Sequence, residues 1–192
     1  MSLKNPAALE FLQSRRSRPA KTLIEPAPTR DQLLPLLTTA ARSPDHGKLE
    51  PWRFIVLEKS AMPRLAQLTE ECGSALGKSA EDIAKARNQF DMGHLAVAVI
   101  EVQKPSAKIP AIEQTYSAGA VCLALLNAAL AAGWGANWLS GWQTHDRDFC
   151  QKAFGLQENE RVAGLVHIAT EGKAPPERPR PDVDGLTQWV SE

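Results

Sequence analysis

The chain has 192 residues, 43% hydrophobic and 23% charged, with 22 basic side chains against 22 acidic ones. That length suits one domain with its own core, and this balance of apolar and charged residues excludes a disordered chain. Zero formal net charge excludes a protein that grips nucleic acid through bulk positive potential, so local basic clusters read as sites.

Asn5 and Pro6 predict an N-cap and a first helical position. Ala8, Leu9, Phe11 and Leu12 then form one apolar face. The helix delivers Arg15, Arg16 and Ser17 at its end, and Pro19 stops it. Glu25-Pro26-Ala27-Pro28 reads as an extended linker. Thr29 and Gln32 form a capping box ahead of a stripe of Leu33, Leu34, Leu36, Leu37, Ala40 and Ala41. Pro35 conflicts with this stripe. It lies beyond the first turn and removes a hydrogen bond, so a bend or a later helix start is expected there. Residues 42–51 form a loop by their Pro, Asp and Gly content.

Residues 52–58 read as a strand, and residues 61–72 and 79–88 as two helices. Residues 94–102 are almost continuously apolar, the pattern of a strand buried on both faces. From about Ile112 to Ala132 runs a helix that is apolar all round in its C-terminal half, with Gly133 as the residue that ends it. A helix of that kind needs walls on every side, and a second subunit is the readiest extra wall. Residues 135–139 form a strand, residues 146–154 a short helix ending at Gly155, and residues 161–170 another buried strand. The tail, residues 173–192, is Pro-rich and extended. Its apolar end, Leu186, Trp189 and Val190, is expected to lie across a partner subunit. No internal linker divides the chain, so residues 1–192 read as a single domain.

Other classes fall away on spacing. The three cysteines are far apart and lack a CxxC pair, which predicts a reducing compartment, the cytoplasm. The four histidines lack metal-ligand spacing, so no metal site is expected. No signal peptide is expected at the N-terminus. The apolar run from Ala118 to Ala132 reads as too short to cross a membrane. Residues 73–79 resemble a phosphate-binding P-loop but are one residue short between the glycines and follow a helical pattern instead of a strand. The glycine fingerprint of a Rossmann dinucleotide site is missing as well.

Four segments carry candidate chemistry. Arg15, Arg16 and Ser17 offer planar guanidinium forks and a hydroxyl, a set suited to a phosphate; a solvated helix end has the same composition. Arg178 and Arg180 alternate in a proline-stiffened segment, so both can face one anion; a plain soluble tail is the competing reading. The loop that holds Arg42, His46 and Lys48 offers spaced donors for a polar ring, or is an ordinary connection. Residues 133–141, rich in Gly and Trp, read either as a tight turn or as a wall where backbone approaches a flat ligand.

Taken in order, RRS, SPDHGKLEPWRF, AGAVCLALLNAALAAGWGANWLSG and PPERPRP resemble the FMN-dependent nitroreductase family, more narrowly its short YdjA-like NAD(P)H nitroreductases. The resemblance spans essentially the whole chain. It implies an α/β (α+β) nitroreductase-like fold, with a central, mostly antiparallel sheet flanked by helices, and an intertwined homodimer with FMN at the subunit interface. On this sequence it assigns Arg15, Arg16 and Ser17 to the FMN phosphate and ribityl end, with Arg178 and Arg180. It assigns Arg42 and His46 to the site across the dimer, and Trp138, Leu139 and Ser140 to the isoalloxazine side; in the implied mechanism Lys48 is the candidate cation beside the reduced ring. Ala128, Ala129, Leu130, Ala131, Ala132 and Gly133 correspond to a nicotinamide-nucleotide contact. Larger members of the family have Asn in place of Lys48 and Gln in place of Glu50, and YdjA-like relatives can carry Arg in place of Leu139. The implied activity is ping-pong transfer of hydride from NAD(P)H to a nitroaromatic, quinone or similar planar electron-poor acceptor. The rival readings are a same-fold flavoprotein with different redox chemistry (dehalogenase, dehydrogenase or flavin-processing) and a non-catalytic flavin-binding module.

Overall fold

The strands Leu23–Ile24 (β1), Trp52–Glu58 (β2), Leu95–Val102 (β3), Gly135–Leu139 (β4) and Glu160–Glu171 (β5) form one sheet. The computed structural model describes residues 3–191; the expectations for Met1, Ser2 and Glu192 lie outside them. The sheet runs β1-β5-β3-β2, with β4 also paired to β5, and every pairing is antiparallel. The long β5 organises the sheet, and His167 faces Ala96 on one neighbour and Asn137 on the other.

Seven α-helices accompany the sheet among the described residues: α1 (Pro6–Ser14), α2 (Arg30–Ala40), α3 (Met62–Ala75), α4 (Ala80–Asp91), α5 (Ala111–Ala131), α6 (Trp142–His145) and α7 (Arg147–Phe154); α1 has no buried residue. The apolar run of β3 follows from its double burial. Ala96, Ala98 and Ile100 pack with Leu65 of α3, Phe90 of α4 and Phe149 of α7, while Leu95, Val97 and Val99 pack with Leu33 of α2 and Val121 and Leu125 of α5. The antiparallel sheet flanked by helices agrees with the expected fold class.

Several local expectations change. Helix α2 starts at Arg30, with the Thr29–Gln32 capping box formed in both directions, and runs through Pro35 without a later start. Pro35 and Asp31 both lie on the exposed side, so the carbonyl that loses its partner faces water. Strand β1 and helix α6 were not expected; at two and four residues neither is long enough to show a period. Helix α5 has 21 residues and is, by length and composition, long and apolar enough to cross a bilayer, unlike the shorter run read from the sequence. It packs instead along β3, β4, β5 and α2 with Val121, Cys122, Leu125 and Ala129 buried, as a core helix does. The tail is not wholly extended, because Leu186 N–H donates to Val183 O at 3.2 Å in a turn.

Candidate functional site

Helix α1 ends at Ser14 and releases Arg15, Arg16 and Ser17 as a half-buried segment. Arg15 Nη2 donates to Ser17 Oγ at 3.2 Å. The next residues weld this segment to the sheet: Arg18 N–H donates to Ala136 O on β4 at 2.8 Å. Arg18 Nη1 donates to Arg16 O at 3.0 Å, and Arg18 Nε lies 2.6 Å from Glu171 Oε1 at the end of β5, in contact but out of line for a hydrogen bond. Arg18 was not among the expected site residues, although it continues the same basic run.

The C-terminal segment returns to the same place. Arg16 Nε donates to Pro176 O at 3.2 Å, and Arg180 pairs with Glu177 at 2.8 Å. Burial, then the charges of Arg180, Arg18 and Arg16, hold the Arg15 guanidinium below its usual range. It stays protonated all the same. Four like charges therefore gather, and Arg15 Nε is buried with no hydrogen-bond partner. An orphaned buried donor costs about 1–3 kcal/mol, more when charged. A bound phosphate would supply the missing acceptor and the opposite charge, so these residues fit the phosphate end of FMN. Arg178 is exposed in the same segment; Arg180 is the tail arginine whose charge bears on Arg15.

Arg42, His46 and Lys48 sit in a different loop. Arg42 is exposed just past α2, its N–H donating to Thr39 O at 3.2 Å. His46 Nδ1 lies 2.6 Å from Glu113 Oε2, in the first turn of α5. Lys48 and Glu50 both have positive φ, 55° and 48°. Such backbone costs on the order of 1–3 kcal/mol per residue and clusters at functional sites. Glu50 N–H is held by Asp45 Oδ2 at 2.7 Å.

Trp138 and Leu139 end β4, opposite Val166 and Leu165 of β5. Trp138 lies against Gly164: a Cβ there would be 1.9 Å from its Nε1. Ser140 is exposed beyond the strand and lines a cavity of about 180 Å³ with α4 and α6. The residues from Ala128 to Gly133 close α5. Gly133 N–H donates to Leu130 O at 3.1 Å and Trp134 N–H to Ala129 O at 3.0 Å, a Schellman end that requires the positive φ of 85° at Gly133. Ala132 and Gly133 line an open hollow of about 400 Å³ with Gln32, Leu36 and Trp134. Ala131 is exposed, while Ala128 and Leu130 are half-buried. Ala129 is fully buried in the core beside Leu125, so it offers no surface of its own in this segment.

Other reactive groups are quiet. Burial pushes the Cys122 thiol up to about 12 and Cys150 to about 11, so neither is a nucleophile near neutrality. Cys72, Asp146 and Asp148 bring ligand atoms within 4.8 Å of one another. Their carboxylates are engaged: Asp146 caps α7 through Phe149 N–H at 2.7 Å, and Asp148 pairs with Lys152 at 2.7 Å.

The chain is 37% identical over 163 residues to "Putative NAD(P)H nitroreductase YdjA" of Escherichia coli (strain K12), covering 85% of this chain and 87% of that protein. It is 36% identical over 164 residues to "Putative NAD(P)H nitroreductase" of Haemophilus influenzae, covering 85% and 88%. In fold it resembles a nitroreductase-like family protein from Bacillus cereus (TM-score 0.81, 22% identity, 100% of both chains). It also resembles "a putative nitroreductase in complex with fmn" from Desulfovibrio desulfuricans (TM-score 0.75, 18% identity, 99% and 100% covered). Residues 12–172 match the pattern of the Nitroreductase family, a span that takes in the Arg15 cluster, the strained loop and β4 and stops before the tail: the chain belongs to the nitroreductase family of oxidoreductases.

Proposed function

We propose that this chain is an FMN-dependent NAD(P)H oxidoreductase that reduces nitroaromatic, quinone or similar electron-poor acceptors by a ping-pong route, as a homodimer. The observation that carries the reading is the return of the C-terminal segment to the N-terminal arginine run, tied by Arg16 Nε to Pro176 O at 3.2 Å, beside a buried Arg15 guanidinium nitrogen that has no partner. When bound, FMN supplies two-electron chemistry, taking hydride equivalents from NAD(P)H and passing them to the acceptor.

The protein's own part is to bind, orient and screen. Arg15, Arg16, Ser17 and Arg180, with Arg178 beside them, hold the phosphate. Arg18 fixes the carbonyl of Arg16 and the start of β4. Ala136, which takes the Arg18 N–H, stands three residues before Leu139, about 10 Å along a strand. That length separates a phosphate grip from a ring wall made by Trp138, Leu139 and Ser140. Arg42, His46 and Lys48 come from the partner subunit's loop, and Lys48 brings positive charge to a reduced ring. The end of α5, at Ala132 and Gly133, offers the hollow for the nicotinamide nucleotide, with Ala128 to Ala131 leading up to it.

The test is to purify the protein, record the flavin spectrum, and follow its bleaching by NADH and by NADPH, then turnover with menadione or nitrofurazone. Arg15→Ala is expected to weaken FMN binding about tenfold or more, since a charge-assisted hydrogen bond is worth roughly 1.5–3 kcal/mol. A colourless protein that ignores added FMN overturns the proposal.

A further inference from the structure

The arginine cluster already holds anions of its own. The segment that Arg16 Nε grips at Pro176 O, 3.2 Å away, continues directly into Glu177, whose Oε1 lies 2.8 Å from Arg180 Nη2. The Arg178 N–H, then the charges of Arg180 and Arg16, hold the Glu177 carboxyl below the usual carboxylate range. Glu177 is therefore ionised near neutrality, and its charge is felt beyond its own segment. Glu171 plays the same part for Arg18, at 2.6 Å. Neither carboxylate supplies an acceptor to Arg15 Nε, which stays buried without a partner.

The two acids differ in how firmly they are built in. Glu171 ends β5, where it stands opposite Leu23 of β1, and its side chain is 32% exposed. Glu177 belongs to the tail, and its side chain is 67% exposed. It can swing into water with no strand to break. Pro175, Pro176, Pro179 and Pro181 surround it and stiffen the segment, so Glu177 and Arg180 reach the cluster together.

We propose that Glu177 is a resident counter-anion that an incoming phosphate must displace, so that the tail gates loading of the arginine cluster. The gate rests on the phosphate reading of that cluster. A phosphate monoester carries a charge of about −1.5 to −2 and three acceptor oxygens. A carboxylate carries one charge and two oxygens. The phosphate gains more from Arg15, Arg16, Arg18 and Arg180 than Glu177 does, and it also satisfies Arg15 Nε. Exchange therefore runs toward the phosphate, while the lost Glu177–Arg180 pair is subtracted from its affinity. An ion no stronger than a carboxylate lacks that surplus and is turned away.

The experiment takes the full chain freed of flavin and titrates it with FMN, with riboflavin and with inorganic phosphate, at low and at high salt. Glu177→Gln is expected to tighten FMN and phosphate roughly two- to fivefold at low salt, the scale of one exposed ion pair, and by less at high salt. Riboflavin, which lacks the phosphate, is expected to bind both forms alike. Arg180→Ala removes the partner, so in that background the effect of Glu177→Gln shrinks. Glu177→Ala repeats the measurement if Glu177→Gln does not fold. FMN and phosphate affinities that stay level or weaken, or riboflavin that tightens equally, overturn the gate. FMN binding that Arg15→Ala weakens and Glu177→Gln does not tighten leaves the phosphate site and removes the gate. Phosphate binding that Glu177→Gln tightens, in a chain that takes up no FMN, leaves the gate and removes the flavin. Binding of neither ligand, by wild type or variant, removes both.

Discussion

His167 shows how much one side chain can set. It lies on β5 between Ala96 and Asn137, 1% exposed, with both ring nitrogens unpartnered. Burial pushes its pKa down from 6.5 to about 4. The unfolded chain therefore takes up a proton between those values that the folded chain refuses, so stability is full above pH 6.5 and falls as pH drops toward 4. At roughly 1.4 kcal/mol per pH unit, the loss is on the order of 3 kcal/mol. Melting temperatures from pH 7 to 4.5 should fall steeply for the wild type and stay nearly flat for His167→Leu; parallel curves would refute the argument. The paired carboxylates act lower. Glu101, whose burial is outweighed by hydrogen bonds from Arg161, Gln103 and Thr115, and Glu160, held by Arg53, both sit below the usual carboxylate range. Their contributions fade only once pH falls below about 4.5. The sequence showed no metal-ligand spacing around His167, and its burial depends on strands far away in the chain. The run from Arg15 to Ser17, by contrast, was legible as a local basic cluster, whereas its contact with the tail at Pro176 depends on the fold.

At the scale of elements, the strong local signals held and the cross-chain contacts were invisible. The caps at Asn5, Thr29 and Ser79 and the glycine ends at Gly133 and Gly155 appear where chain-local chemistry puts them. The setting of Trp138 does not, because it is fixed by Gly164, 26 residues later on the neighbouring strand. With no Cβ at Gly164, the indole lies against the β5 backbone. Gly164→Ala would place a carbon 1.9 Å from Trp138 Nε1, so the ring must leave. Overpacking of this kind costs about 1–3 kcal/mol. The expected outcome is a lower melting temperature for Gly164→Ala, and weaker FMN binding if Trp138 lines the ring. Trp138→Ala should relieve most of the Gly164→Ala penalty, so a double-mutant cycle reads a strong coupling. Additive effects would mean that the indole does not depend on that glycine.

For the whole molecule, the question is what covers α5. Its inner side is sealed by the sheet and α2, but Ile112, Tyr116 and Leu123 are 51%, 68% and 45% exposed. Their spacing of four and then seven residues sets them along one face. Trp189 and Val190 of the tail are exposed as well. Apolar surface arranged in a stripe marks a partner, and a second copy laid stripe on stripe gives a two-fold contact that closes. The sequence expected a second subunit from the apolar circumference of the helix; the exposed apolar residues Ile112, Tyr116 and Leu123 lie on one face. The His46–Glu113 contact ties the strained loop to the first turn of α5, so a dimer built on this face carries Lys48 and Arg42 to the boundary between protomers. Light scattering should then find a dimer for the wild type and a monomer for Leu123→Glu, which places a charge in the apolar stripe. The monomeric variant keeps the Arg15 cluster intact, because Arg16, Arg18, Glu171 and Pro176 all belong to one chain. Its FMN affinity should nevertheless fall, and raising the protein concentration should restore part of it. If Leu123→Glu is monomeric and binds FMN as tightly as the wild type, the loop does not reach across and the site is complete within one protomer.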